Sequence, residues 1–245
     1  MAINSIHTQP YFPPQTPNDA DTQTERAGRS KRGIADDSKR WPDGEITVSI
    51  DGTNEASFNL IWQAIKEWNK HTPTLQIKYI TGAPGDIRIA FNRGLGGNWS
   101  TIGTDAKLVP KDQPTMHLES HGDKRAFYST ILHEFGHALG LKHEHQHPER
   151  EIKFNEKGIF DAFFNKDNFG ISDIYQNIIK QYPYEGHLVT DYDEDSIMHY
   201  PFSPATNEEG REYEDPRELS PGDKETIRRL YAPKKFQIAD AETSR

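Results

Sequence analysis

The stretch HEFGHALGLKHEH, residues 133–145, gathers four of the chain's eleven histidines and two glutamates around small and apolar residues. Either it is a His-rich polar helix on the surface, or it is a metal site with a base beside it. His133 and His137 are four apart, so on a helix they share one face with Cβ atoms roughly 5–6 Å apart. Two imidazoles at that separation can grip one Zn²⁺ at about 2.0 Å each. Glu134, the neighbour of His133, flanks such a metal without ligating it, which is where a base for a coordinated water must sit. Gly140 can take a positive φ, end the helix and turn the chain, so that His143 arrives from another direction as a third ligand. Three protein ligands leave an open position, as catalytic zinc sites require. Chance gives the five-letter HExxH spacing in roughly 3% of chains this long; Gly140 and His143 lower that to on the order of one in ten thousand. The spacing of His145 and His147 fits no second site, and they read as solvated loop histidines.

Elements must hold these residues in place. EITVSI (45–50), LQIKYI (75–80) and DIRIAF (86–91) alternate apolar with polar residues and read as strands. Residues 55–70 place Phe58, Ile61, Trp62, Ile65 and Trp68 at helical spacing, an amphipathic helix whose tryptophans belong to the core. NRGLGGNWSTIG reads as a turn, TMHLES (115–120) as a short strand, residues 126–140 as the helix carrying the histidines, and 156–181 as helical segments. In LSPGDKETIRRLYAP (219–233), Ser220 caps a final helix, Pro221 opens it, Asp223 completes a capping box and Pro233 stops it.

The chain has 245 residues, enough for one large domain or two small ones. Its net charge, 29 − 38 = −9, disfavours nucleic acid and acidic membrane surfaces as partners. With no cysteine there are no disulfides, thiolate zinc ligands or cysteine nucleophiles. No apolar run reaches a membrane span, and the first twenty residues show no signal-peptide pattern. Residues 1–32 read as a disordered leader or pro-segment ending in RAGRSKR, and 234–245 as a polar tail. Arg29, Lys31 and Arg32 form a solvated charge run, a cleavage site before Gly33, or more weakly a nuclear-localisation patch.

With SIMHYP at 196–201 and Glu144 directly after the third histidine, the chain resembles the astacin family of metzincin zinc metalloendopeptidases. RWPDGEITVSI, IKEWNKHT and LSPGDKETIRRLY add to the resemblance in the right order, which runs from residue 33 to 233. It implies an α+β, zincin-like fold: a twisted, mostly parallel N-terminal sheet with two long helices, and an irregular C-terminal subdomain with a methionine turn. The zinc cleft would lie between residues 33–143 and 144–233, with TMHLES as the edge strand that pairs with substrate. One Zn²⁺ would be held by His133, His137 and His143. Glu134 would be general base and then proton donor, Met198 an apolar floor, and Tyr200 a fifth ligand that swings away to stabilise the oxyanion. His199 reads as structural. The implied partners are protein or peptide substrates, cut by a monomer that is secreted or exported, by an unconventional route if no leader precedes it. The rival is a non-catalytic zinc-binding interaction module.

The resemblance also recasts Arg32 as an activation cleavage site, after which Gly33 becomes a buried N-terminus paired with Glu144. Arg211 and Arg217 are either solvated or the source of a preference for acidic residues after the cut. Family members carry two disulfides; here Pro73 and Pro233 stand where one pair would be, and Asn98 and Arg125 at the approximate places of the other.

Overall fold

The computed structural model describes residues 33–120, 123–164 and 170–233. The leader, Arg32 and the polar tail lie outside these residues. Five strands form the main sheet: β2 (Gly44–Asp51), β3 (Leu75–Tyr79), β4 (Ile87–Phe91), β5 (Trp99–Ser100) and β6 (Met116–Leu118). A separate β1 (Ile34–Asp36) pairs antiparallel with β7 (His187–Val189). The sheet order is β3-β2-β4-β6-β5, and only β5 runs antiparallel. Every residue of β4 is buried, as expected of a central parallel strand.

TMHLES is therefore not the edge strand. The edge on that side is β5, from the glycine-rich stretch read as a turn. Gly94, Gly96 and Gly97 all have positive φ, so the stretch reverses the chain and returns it antiparallel to β6. Two residues are too few for alternation to register in the sequence.

Two 15-residue helices pack on the sheet, α1 (Glu55–Asn69) and α2 (Lys124–Ala138). Asn54 caps α1 by accepting the Ser57 N–H, and Asp123 caps α2 by accepting that of Arg125. Ile61, Ala64, Ile65 and Trp68 form the buried stripe of α1. Trp62 falls one position beyond that stripe and is 38% exposed, a correction to its reading as core. The Trp41 indole donates to Ala138 O and the Tyr231 hydroxyl to Leu139 O, satisfying carbonyls that the end of α2 leaves open.

Beyond residue 143 the chain is less regular. It holds α3 (Glu156–Phe163), α4 (Ile171–Ile174) running into a π-helical turn at Tyr175–Ile179, and α5 (Pro221–Leu230). A second apolar cluster of Ile152, Ile159, Ile174, Ile178, Phe202 and Tyr213 supports this half. The capping box on α5 forms as read: Asp223 N donates to Ser220 Oγ at 2.9 Å, and Ser220 N to Asp223 Oδ2 at 2.8 Å. Among the described residues no helix is long and apolar enough to cross a membrane.

Candidate metal centre

Helix α2 delivers His133, Glu134 and His137, then stops. The N–H of Gly140 donates to His137 O at 2.9 Å and that of Leu141 to Gly136 O at 2.9 Å, the paired bonds of a Schellman end, with Gly140 at φ +103°. This turn carries His143 back, so that its Nε2 stands 2.9 Å from His137 Nε2. One ring nitrogen from each of His133, His137 and His143 lies within 4.8 Å of the others.

The opposite ring edges fix the tautomers. His133 Nδ1 is 2.8 Å from Ile197 O, and His137 Nδ1 is 2.9 Å from Leu141 O. A carbonyl only accepts, so both rings carry the proton on Nδ1 and turn an Nε2 lone pair inward. Two ligands at zinc–nitrogen bond length in a tetrahedral site stand about 3.3 Å apart. The 2.9 Å between the His137 and His143 nitrogens is close to that, so the two inner nitrogens already stand near the separation that two ligands of one metal take. Burial lowers the pKa of His133 to about 4 and those of His137 and His143 well below the ordinary value, so the cluster is neutral and ready to ligate. The donor set fits zinc.

Glu134 is 4% exposed, and its Oε2 has no hydrogen-bond partner. Burial alone raises its carboxyl to about 8, and a cation held by the neighbouring imidazoles would bring it back down towards the ionised form. With His133, Tyr200, Asn98 and Thr130 it lines a cleft of about 60 Å³. The Tyr200 ring lies 4.5 Å from that of His143. The Met198 sulfur packs so close to Gly136 that a Cβ there would clash with it, and Met198 O accepts the Glu144 N–H at 3.0 Å. A larger hollow of about 370 Å³, around Tyr79, Pro84 and Gln113, lies elsewhere. One of its two cations, Arg88, donates to the carbonyls of Gln113, Val109, Pro110 and Gly85, so that side chain serves the loops.

Residues 33–231 match the family model described as Astacin, a peptidase family. The chain belongs to the astacin family. It is 30% identical over 185 residues to Blastula protease 10 of Paracentrotus lividus, covering 72% of this chain and 28% of that protein. It is 29% identical over 162 residues to Bone morphogenetic protein 1 of Xenopus laevis, covering 65% and 20%. The chain thus spans about a quarter of the length of these relatives. Among solved structures, that of myroilysin aligns with a TM-score of 0.77 at 30% identity, covering 82% of this chain and 99% of that one. High choriolytic enzyme 1 from Oryzias latipes aligns at 0.56 and 21% identity over 80% and 95%, a likeness of fold.

In this astacin chain His145 and His147 are fully buried, which corrects their reading as solvated loop residues. Each found a carbonyl partner, which lets a neutral imidazole enter the interior: His145 Nε2 is 3.0 Å from Asn177 O, and His147 Nε2 is 2.9 Å from Thr190 O. The His145 ring also packs at a tilt against that of Tyr200, with centroids 4.4 Å apart. His199 is buried between Tyr192 Oη at 2.7 Å and Tyr200 O at 2.7 Å.

Glu144 is 1% exposed, and its carboxylate accepts the N–H of Asp193 at 2.8 Å and that of Ile34. Gly33, one residue before Ile34, donates its own N–H to Asp191 O at 2.6 Å. Arg211 pairs with Glu194 at 2.6 Å and stacks over Tyr213, while Arg217 pairs with Asp215 at 3.1 Å. Asp215, not Arg211, lines the cleft. Sequence reasoning missed the contribution of Ser196, Ile197 and Asp223 to this site: a backbone carbonyl leaves no residue-type signal, and the capping box accounts for Asp223 by itself.

Proposed function

We propose that residues 33–233 form a catalytic domain that hydrolyses internal peptide bonds of proteins, with one zinc ion held by His133, His137 and His143. The observation that carries this is Glu134, a buried carboxylate with an unpartnered oxygen beside three converging imidazoles. Burying such an oxygen unpaired is costly and serves no packing purpose. Zinc bound there supplies a Lewis acid that polarises a carbonyl and brings the pKa of a water from about 15.7 to about 7.

The chain does the rest. Glu134 takes the proton of the attacking water and passes it to the leaving amine, which keeps a charged amide anion from departing. Tyr200 lines the same cleft and offers its hydroxyl to the oxygen on which negative charge develops. Burial raises the phenol pKa, so the hydroxyl keeps its proton to donate. Antiparallel β5 borders the sheet, and its outer side is suited to an extended peptide backbone. Protein substrates, a monomeric enzyme, action outside the cell and removal of residues 1–32 by cleavage after Arg32 complete the proposal. Ile34, the residue after Gly33, donates its N–H to Glu144, which supports a new terminus reaching that carboxylate.

The test is cleavage of an unfolded protein by the zinc-loaded chain, beside a chelated sample and a Glu134→Ala variant. Turnover lost in both supports the enzyme. A non-catalytic zinc-binding module would hold the metal and cut nothing in any of the three.

A further inference from the structure

Asp223 is 3% exposed, yet it belongs to a capping box, a motif that works at the surface of a helix. The box uses one contact, the Ser220 N–H on Oδ2. The other contacts go elsewhere. Ser196 Oγ donates to Oδ1 at 2.6 Å, and the Ile197 N–H donates to Oδ2 at 2.8 Å. Ser196 Oγ in turn accepts the Met198 N–H at 3.0 Å. The carboxylate therefore holds three consecutive residues of the methionine turn, two directly and one through a hydroxyl. The same Ile197 whose N–H it fixes presents its carbonyl to His133 Nδ1 at 2.8 Å. A peptide chain pinned at its N–H on one side and its carbonyl on the other has little freedom to rotate.

Burying an ionised carboxylate costs several kcal/mol unless hydrogen bonds return it. An exposed Asp would cap α5 equally well without that cost. The burial is explained by the turn and not by the helix.

We propose that Asp223 is a positioning residue for the metal: through the Ile197 peptide it fixes the orientation and tautomer of His133. The inference rests on the reading of His133, His137 and His143 as zinc ligands. It assigns to α5, the last helix of the domain, a part in metal affinity that its distance along the chain conceals.

The test compares the dissociation constant for Zn²⁺, by chelator competition, and the visible spectrum of the Co²⁺-loaded protein. Removing a partner that orients a ligand typically weakens metal binding by about 10–100-fold. Asp223→Ala is expected to weaken zinc on the order of 10-fold and to change the cobalt absorption, with Ser196→Ala causing a smaller loss. Asp223→Asn keeps one oxygen for the Ile197 and Ser220 N–H groups and should recover most of the affinity. Ile77→Ala, in β3 and remote from the site, is the control: its melting temperature falls while its zinc constant and cobalt spectrum stay those of the wild type.

If Asp223→Ala and Ser196→Ala behave like Ile77→Ala, the inference is overturned and Asp223 only caps α5. Should Asp223→Ala not fold, Ser196→Ala decides the matter: a zinc constant and cobalt spectrum equal to those of the wild type overturn the inference. A wild-type chain that takes up no zinc overturns the zinc reading itself, and this inference with it.

Discussion

Gly136 and Met198 fill each other's space: a Cβ on Gly136 would collide with the methionine sulfur. Glycine inside a helix costs about 1 kcal/mol relative to alanine, so α2 bears this cost for the close approach. Gly136→Ala should be destabilising despite its better helix propensity, because overpacking of this kind costs about 1–3 kcal/mol. In a Met198→Ala background the same substitution should become stabilising by about 1 kcal/mol. Urea denaturation of the four proteins gives the coupling; additive effects would mean that the two residues do not press on each other.

Glu134→Gln should separate binding from chemistry. The carboxylate is not among the converging nitrogens, so the zinc constant should stay within a few-fold of wild type. Turnover should fall by about 10²–10⁴-fold, the usual range for loss of a positioned proton carrier. Unchanged kcat with intact zinc binding would remove Glu134 from the mechanism.

The convergence of His133, His137 and His143 was legible because three side chains at fixed spacing on a helix and just past its glycine stop are a local pattern. Strands β2, β3 and β4 were legible for the same reason, as were α1, α2 and the cap of α5. What stayed hidden depends on contacts between distant parts of the chain. His147 reads as a polar loop residue until Thr190, 43 positions later, supplies a carbonyl that lets it be buried. Strand β5 has two residues and is defined by its partner alone. Asp223 has a local explanation as a cap, which masks its long-range contact with Ile197.

His147 should make the fold acid-sensitive. Its Nε2 donates to Thr190 O and its Nδ1 accepts the Glu149 N–H at 3.0 Å, so the neutral ring is fully used and a second proton has no place. Burial lowers its pKa to about 4, against about 6.5 in the unfolded chain. Between those values the unfolded state binds a proton that the folded state refuses. Stability is therefore full above about pH 6.5 and falls as pH drops, by about 1.4 kcal/mol per pH unit from this residue. In chelated protein, the unfolding free energy of His147→Gln should show a slope shallower by that amount between about pH 6 and 4.5. An unaltered slope would mean that His147 is protonated in the fold.

Polar contacts tie distant parts of the chain together next to Pro73 and Pro233. Arg40 Nε donates to Leu230 O at 2.6 Å, its Nη1 to Trp41 O at 2.9 Å, and its Nη2 reaches Thr74 Oγ1 at 3.0 Å and the Asp43 carboxylate. Thr74 Oγ1 lies 3.0 Å from Tyr231 O. The knot joins the start of β2, the start of β3 and the end of α5, and Arg40 also covers the Tyr231 ring at 4.9 Å. Hydrogen bonds from a charged donor are worth about 1.5–3 kcal/mol each when sheltered, and removal strands the carbonyls they served. Arg40→Ala should therefore lower the unfolding free energy by about 2–4 kcal/mol in urea, and Thr74→Val by about 1 kcal/mol. Lys157→Ala, which breaks the exposed ion pair with Asp161, should leave it unchanged. If Arg40→Ala is as silent as Lys157→Ala, the C-terminal helix is held by its apolar face alone, through Ile227, Leu230 and Tyr231 in the main core.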